Sequence, residues 1–229
     1  MLTARTRLVA LIGHPVAHSL SPRMQNAAFA AVGLDWAYVA LDVPTEELTE
    51  AVRGLAAAGF VGANVTAPHK LAAASLSESD LPSVNTLVFR ADRVEGHSTD
   101  AAVLEGLAAE RPVVIGAGGA AAAFVHALPH ARAFSRHGEW PPETAGADLV
   151  VNATSAHDEV IAALTSGQTL VDLPYPRSAT ADAARAAGAE VVDGLDVLLA
   201  QGAASFSLWT GVPAPVDVMR RALRSVELF

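Results

Sequence analysis

The 229-residue chain contains no cysteine. That absence removes disulfides, thiolate nucleophiles and Cys-ligated zinc or iron–sulfur centres, and it favours an intracellular address. Charge is sparse, at 17% of residues against the roughly 25% usual for soluble domains. Positive charge is the scarcer sign: 15 Lys and Arg against 24 Asp and Glu leave a net charge of -9. Nucleic acid and anionic membrane both require clustered positive charge, so neither is an expected partner. No apolar run approaches the roughly 20 residues that span a bilayer. The short apolar stretch from Leu8 to Ile12 lacks the longer core and cleavage site of a signal peptide. A soluble, cytoplasmic protein acting on a small molecule is expected, as a monomer or a homodimer. Apolar residues are plentiful at 52%, with alanine the largest share, which excludes disorder. At roughly 150 residues per domain, the length fits one large domain or two small ones.

Lysine is the most informative scarcity. Fourteen of the 15 basic residues are arginine, and Lys70 is the one lysine. An arginine stays protonated at all accessible pH, whereas a lysine ammonium can release and regain a proton. Either Lys70 performs acid/base chemistry or it is a chance survivor on the surface.

Strand-like and helix-like segments alternate along the chain, predicting α/β architecture with largely parallel sheets. In the first block, strands are expected over residues 7–13, 36–43 and 60–66 and helices over 22–32 and 45–58. Ser21 is the expected N-cap of the first helix, with Pro22 at its first position. Residues 84–89 and 93–96 read as a hairpin around Ala91-Asp92, adding an antiparallel edge. In the second block, strands are expected over 112–116, 131–135, 148–152 and 169–173, with an alanine-rich helix after Gly119. The segment 136–146 reads as a loop and leaves little room for a crossover helix. Residues 194–205 and 215–224 read as helices that fold back on the first block. These signals divide the chain into a domain of residues 1–106 plus 198–229 and a compact Rossmann-like domain of residues 107–197.

Gly116-Ala117-Gly118-Gly119-Ala120-Ala121 places a glycine-rich turn between a strand and a helix, the context of a dinucleotide fingerprint. A packing turn rich in Gly and Ala would look similar. About 20 residues further on, an NAD binder carries an acid for the ribose 2′-hydroxyl. Here Ser135-Arg136-His137 stands instead, and a guanidinium suits the 2′-phosphate of NADP. In the first block, Ser19 and Ser21 lie at the mouth of a helix, where hydroxyls and backbone amides favour a carboxylate. N-capping would account for Ser21 but not for Ser19. Thr66 and Lys70 follow a strand, at the carboxyl edge where open α/β sheets bind ligands. Asp100, in a later turn, could hold the Lys70 ammonium in place during proton transfer. Eight histidines raise the question of a metal. His14 and His18, like His126 and His130, are four apart, but a proline interrupts each pair, and no metal site is expected.

Taken in order, Gly13-His-Pro-Val-Ala-His-Ser19-Leu-Ser21-Pro22, Asn64-Val-Thr66-Ala-Pro-His-Lys70, Val84-Asn85-Thr86, Thr99-Asp100, Gly116 to Ala120, Asn152-Ala-Thr154-Ser155, Asp172-Leu-Pro-Tyr175 and Gln201 through Trp209 to Gly211 resemble the shikimate dehydrogenase family. The resemblance implies two α/β domains and reversible NADPH-dependent reduction of 3-dehydroshikimate to shikimate, in aromatic amino acid biosynthesis. It further implies that Ser19 and Ser21 hold the substrate carboxylate and that Thr66, Asn85, Asp100, Tyr175 and Gln201 bind or flank its hydroxyls. Lys70 and Asp100 would form the acid/base pair. Gly116, Ala117, Gly118, Gly119, Ala120, Ser135, Arg136, Asn152 and Thr154 would bind NADP. A quinate or aminoshikimate dehydrogenase, or a noncatalytic binder of NADP or a cyclic hydroxy acid, would share these features. The sequence departs from the family pattern at Ser98 and Gln25, and the segments 70–85 and 136–146 are short.

Overall fold

The computed structural model describes residues 2–224. The backbone forms two compact units, one running up to Thr99 and resuming from Leu199, the other from Asp100 to Leu198.

The first unit contains β1 (Arg7–Gly13), α1 (Ser21–Ala31), β2 (Trp36–Asp42), α2 (Leu48–Ala57), β3 (Gly62–Val65), α3 (Lys70–Ser75), β4 (Thr86–Phe89) and β5 (Val94–His97). Its sheet runs β2-β1-β3-β4-β5. Strands β1, β2 and β3 are parallel, and β4 is antiparallel to both its neighbours, so the expected hairpin edge is present with Phe89 facing Val94. Val9 to Ile12 are all buried, because a parallel strand covered on both faces needs a continuous apolar run. On one face Ile12, Val52, Leu55, Val65 and Leu87 form a core. Two further helices close the described chain, α6 (Gly194–Thr210), which begins inside the second unit, and α7 (Val216–Arg224). From Leu199 onward α6 belongs to the first unit, where the Phe206 ring stacks on Phe29 at 5.4 Å. Trp209 Nε1 donates to the Leu87 carbonyl at 3.0 Å. Gly62 permits that approach: a Cβ there would lie 2.2 Å from the Leu87 oxygen and 2.5 Å from the indole nitrogen.

The second unit contains β6 (Pro112–Ile115), α4 (Gly119–Ala127), β7 (Arg132–Phe134), β8 (Leu149–Asn152), β9 (Thr169–Asp172), α5 (Ala179–Ala186) and β10 (Glu190–Val192). Its sheet, β10-β9-β8-β6-β7, is wholly parallel. Parallel neighbours normally require a crossover helix, yet the connections 135–148 and 153–168 contain none. Irregular chain covers the sheet instead: Ile161, Ala162 and Leu164 are buried against Val113, Val150 and Leu170. Gln168 pins this chain by donating to the Thr144 and Ala147 carbonyls at 2.8 and 2.9 Å.

Three elements, α3, α5 and β10, were not foreseen. The helices are short and rich in alanine, a small residue that marks a buried face only weakly. The expected cap is corrected as well. Leu20 occupies the N-cap of α1 and no side chain caps that helix. The Ser21 amide instead donates to Ser19 Oγ at 3.2 Å.

Candidate active site

In the first unit, β1 and β3 end at one edge of the sheet, and antiparallel β4 begins there, Asn64 pairing with Thr86. The topology therefore gathers at that edge the chain after β1 with Ser19 and Ser21, the chain after β3 with Thr66 and Lys70, and Asn85 just before β4. Thr66 is fixed at both ends, its amide donating to Ile12 and its carbonyl accepting from His69, each at 2.9 Å. Lys70 is half-buried and opens α3. Its carbonyl accepts from Val84 at 3.0 Å, which ties α3 to the approach to β4. His69 is fully buried with Nε2 2.7 Å from the Val43 carbonyl. A carbonyl only accepts, so this nitrogen carries the proton and the ring is anchored beside Lys70.

Asn85 and Gln201 meet, Asn85 Nδ2 donating to Gln201 Oε1 at 3.0 Å and to Thr99 Oγ1 at 3.0 Å. Asn85 Oδ1 accepts from the Thr99 amide at 2.8 Å. This amide–threonine clasp fixes the chain immediately before Asp100, a buried residue that begins a 3₁₀ turn. Ser205 Oγ, one helical turn after Gln201, lies 2.9 Å from Thr86 Oγ1, 3.1 Å from Thr99 Oγ1 and 3.0 Å from Asn64 Nδ2. Tyr38 continues the chain by donating to Asn64 Oδ1 at 2.8 Å. The network joins β2, β3, β4 and α6 with no apolar break. Sequence reading singled out Asn85 and Gln201 but not Tyr38, Thr86 or Ser205 as their supports. The available signal was the one-turn spacing of Gln201 and Ser205, which puts both polar groups on one face of an apolar helix.

The second unit places its candidate residues likewise after parallel strands. Gly116 follows β6 with φ +138°, and a Cβ there would come within 2.9 Å of the Ala153 carbonyl, so only glycine fits. A Cβ on Gly118 would meet nothing within 4 Å. Gly118 is also the cap residue of α4, and no side chain satisfies the amides of that helix start. An open glycine turn before an uncapped helix, flanked by Ala117, Gly119 and Ala120, fits the pyrophosphate of a dinucleotide. Asn152 is fully buried, donating to Asp172 Oδ1 at 2.7 Å and accepting from Thr154 Oγ1 at 2.8 Å. Its side chain thus links Asp172 to Thr154. Burial pushes the Asp172 carboxyl up, although donation from Ser178 and Asn152 works the other way. Tyr175 follows β9 and is half-buried. Ser135 starts a tight turn, its amide donating to Glu139 at 3.1 Å. Arg136, at that turn, is exposed, pairs with Glu159 and lies 5.3 Å from the centre of the Trp140 ring.

Residues 11–87 match the model of the shikimate dehydrogenase substrate binding domain, and residues 194–224 match that of the shikimate 5′-dehydrogenase C-terminal domain. A shikimate dehydrogenase (NADP(+)) from Anaeromyxobacter sp. (strain K) is 41% identical, with 99% of each chain covered. The chain belongs to the shikimate dehydrogenase family. Among solved structures of the family, a shikimate dehydrogenase in complex with NADP+ superimposes with a TM-score of 0.89 at 30% identity, covering 99% of this chain and 97% of the other. The Thermus thermophilus enzyme, solved with NADP(H) and shikimate, gives 0.84 at 31% identity, covering 96% and 99%. The alignment with the Anaeromyxobacter relative spans 275 positions against the 229 residues of this chain. At least 46 positions are therefore skipped here, and because both chains are covered nearly end to end, the losses are internal. Within the family this is a shortened chain, consistent with the two helix-free connections in its second sheet. Among the described residues, no helix is long and apolar enough to cross a membrane, and no group of three or more His, Asp or Glu could hold a metal.

Proposed function

We propose that this protein is an NADP-dependent shikimate dehydrogenase that interconverts 3-dehydroshikimate and shikimate in the cytoplasm. The observation that carries the reading is the likeness over 99% of both chains to a shikimate dehydrogenase (NADP(+)). When bound, the nicotinamide supplies or accepts the hydride. The protein has to manage a proton and hold the substrate ring. Lys70 Nζ delivers a proton to the oxygen that gains negative charge as the carbonyl is reduced, and removes it in the reverse direction. Asp100 is its carboxylate partner. Ser19 and Ser21 take the substrate carboxylate, while Thr66, Asn85, Gln201 and Tyr175 take its hydroxyls. The clasp supports the part assigned to Gln201, because with its Oε1 held by Asn85 its Nε2 is presented in a set direction. Gly116 to Ala120 take the pyrophosphate, Thr154 lines the same edge, and Ser135 and Arg136 take the adenosine 2′-phosphate.

The test is a panel of shikimate and quinate against NADP+ and NAD+, followed through the absorbance of the reduced nicotinamide. Turnover of shikimate with NADP+ well above every other pair is expected. Faster turnover of quinate would move the protein to a sister activity, and cofactor binding without turnover of either acid would make it a binding protein.

A further inference from the structure

The exposed Arg136 guanidinium is already engaged. Its Nη2 donates to Glu159 Oε2 while the group lies against Trp140. Glu159 comes from the helix-free connection between β8 and β9, and its backbone is secured there. The Glu159 carbonyl accepts from Thr180 Oγ1 at 3.2 Å, and the Ile161 amide donates to the same hydroxyl at 2.9 Å, with Thr180 fully buried. The carboxylate is therefore carried on an anchored segment. A ribose 2′-phosphate held by Arg136 would lie beside this negative charge.

We propose that Glu159 is a specificity-determining residue that narrows the preference of this protein for NADP over NAD by holding the Arg136 guanidinium. This inference rests on the cofactor role proposed above for Arg136 and adds an opposing group to it. Two effects act in the same direction. A carboxylate close to a phosphate dianion repels it, an interaction that salt screens. The same carboxylate can accept a hydrogen bond from a free ribose 2′-hydroxyl, the interaction by which acidic residues favour NAD. Arg136 attracts the phosphate and Glu159 taxes that attraction.

The experiment is calorimetric titration of NADP+ and NAD+ into the full-length protein, its Glu159→Gln variant and its Arg136→Ala variant, at low and at high salt. Glu159→Gln should raise the ratio of NADP+ to NAD+ affinity about tenfold at low salt, the gain shrinking as salt screens the charge. Arg136→Ala should lower the ratio below that of the parent. An unchanged or lowered ratio in Glu159→Gln overturns the inference. Shikimate turnover measured on the same samples separates it from the proposed reaction. The expected binding pattern in a protein that does not turn over shikimate upholds the Glu159 inference and removes the reaction. Normal turnover with an unmoved ratio removes Glu159 alone, and failure of both cofactors to bind the parent overturns both.

Discussion

The two units hold their candidate ligand-binding residues in different ways, although each also has a buried polar network, Asn152 with Asp172 and Ser178 in the second. In the first, Asn85, Thr86, Thr99 and Ser205 are buried and bonded to one another, so each side chain is held by several partners. In the second, the residues assigned to the nucleotide's distal end, Ser135 and Arg136, stand at a surface turn, where Arg136 relies on an exposed pair with Glu159. Exposed pairs contribute about 0–1 kcal/mol each. Leaving a buried donor or acceptor unsatisfied costs roughly 1–3 kcal/mol. The units thus differ in what they can lose.

The comparison breaks most visibly at Lys70. Replacing it by alanine should cut shikimate turnover a hundredfold or more with the Michaelis constant within a few fold, because a positioned proton donor acts mainly in the transition state. Lys70→Arg should fare nearly as badly, since arginine keeps the charge but cannot release the proton. Steady-state kinetics of both variants check this, and turnover near the parent level in either would strip Lys70 of its role.

Gly116 should be the least tolerant point of the second unit. Gly116→Val asks a β-branched residue to adopt φ +138° with its Cβ within 2.9 Å of the Ala153 oxygen. Backbone strain of this kind costs about 1–3 kcal/mol, so denaturant unfolding should show a loss of about 2 kcal/mol or more, together with loss of NADP+ binding. An unimpaired variant would mean that the turn relaxes freely. The neighbouring open position makes the control: Gly118→Ala should leave stability nearly unchanged.

Ser205→Ala probes the first unit with a milder change. Removing one hydroxyl deprives Asn64, Thr86 and Thr99 of a shared partner, for an expected loss of about 1–2 kcal/mol. The Michaelis constant for shikimate should rise more than turnover falls, because Asn85 and Gln201 lose support while the proton path is untouched. A fall in turnover alone would place Ser205 nearer the chemistry.

Legibility in the sequence followed physical signal strength. Strands β1, β6 and β8 could be placed because their apolar runs are uninterrupted, and the hairpin because Ala91-Asp92 separates two strand-like stretches. Helix α5 could not, since it is short and its buried face, Thr180, Ala181 and Ala184, is made of small side chains. Residues were easier to locate than their supports. Lys70 stands out by composition, and Asn85 by its Asn-Thr turn, but the partnership of Ser205 with Asn64, 141 positions apart, is a product of the fold. Ser21 misled because a serine before a proline reads as a cap, while the backbone gave the cap position to Leu20. The trimmed connection at 136–146 was visible as missing length. The buried stretch around Ile161, Ala162 and Leu164 was not, because an irregular chain that packs like a helix leaves no periodic trace.

The smallest effect concerns pH and lies wholly in the second unit. Partial burial alone would raise the Asp148 carboxyl, but backbone donors from Arg111, Glu110, Asp148 itself and Leu149 together outweigh it and hold the group below its ordinary 3.8. The Arg111 and Glu110 amides donate at 3.0 and 2.9 Å, stitching the start of β6 to β8. A carboxyl lowered by folding stabilises the protein at pH values above its unfolded pKa, and the contribution disappears as pH falls through the lower folded value. Asp148→Asn should therefore destabilise the protein by about 1 kcal/mol or less near pH 7, the half-exposed setting weakening the bonds. The gap between variant and parent should close as the buffer is taken toward pH 3. Asp172, raised by burial, has the opposite sign: its ionisation opposes folding at neutral pH, and acidification relieves that cost before the Asp148 contribution is lost. Mild acid should thus leave the second unit as stable as neutral buffer or slightly more so, with the decline beginning only below the ordinary carboxylate range. Denaturant midpoints of parent and Asp148→Asn across that range decide it, and a gap that widened in acid would reverse the sign assigned to Asp148.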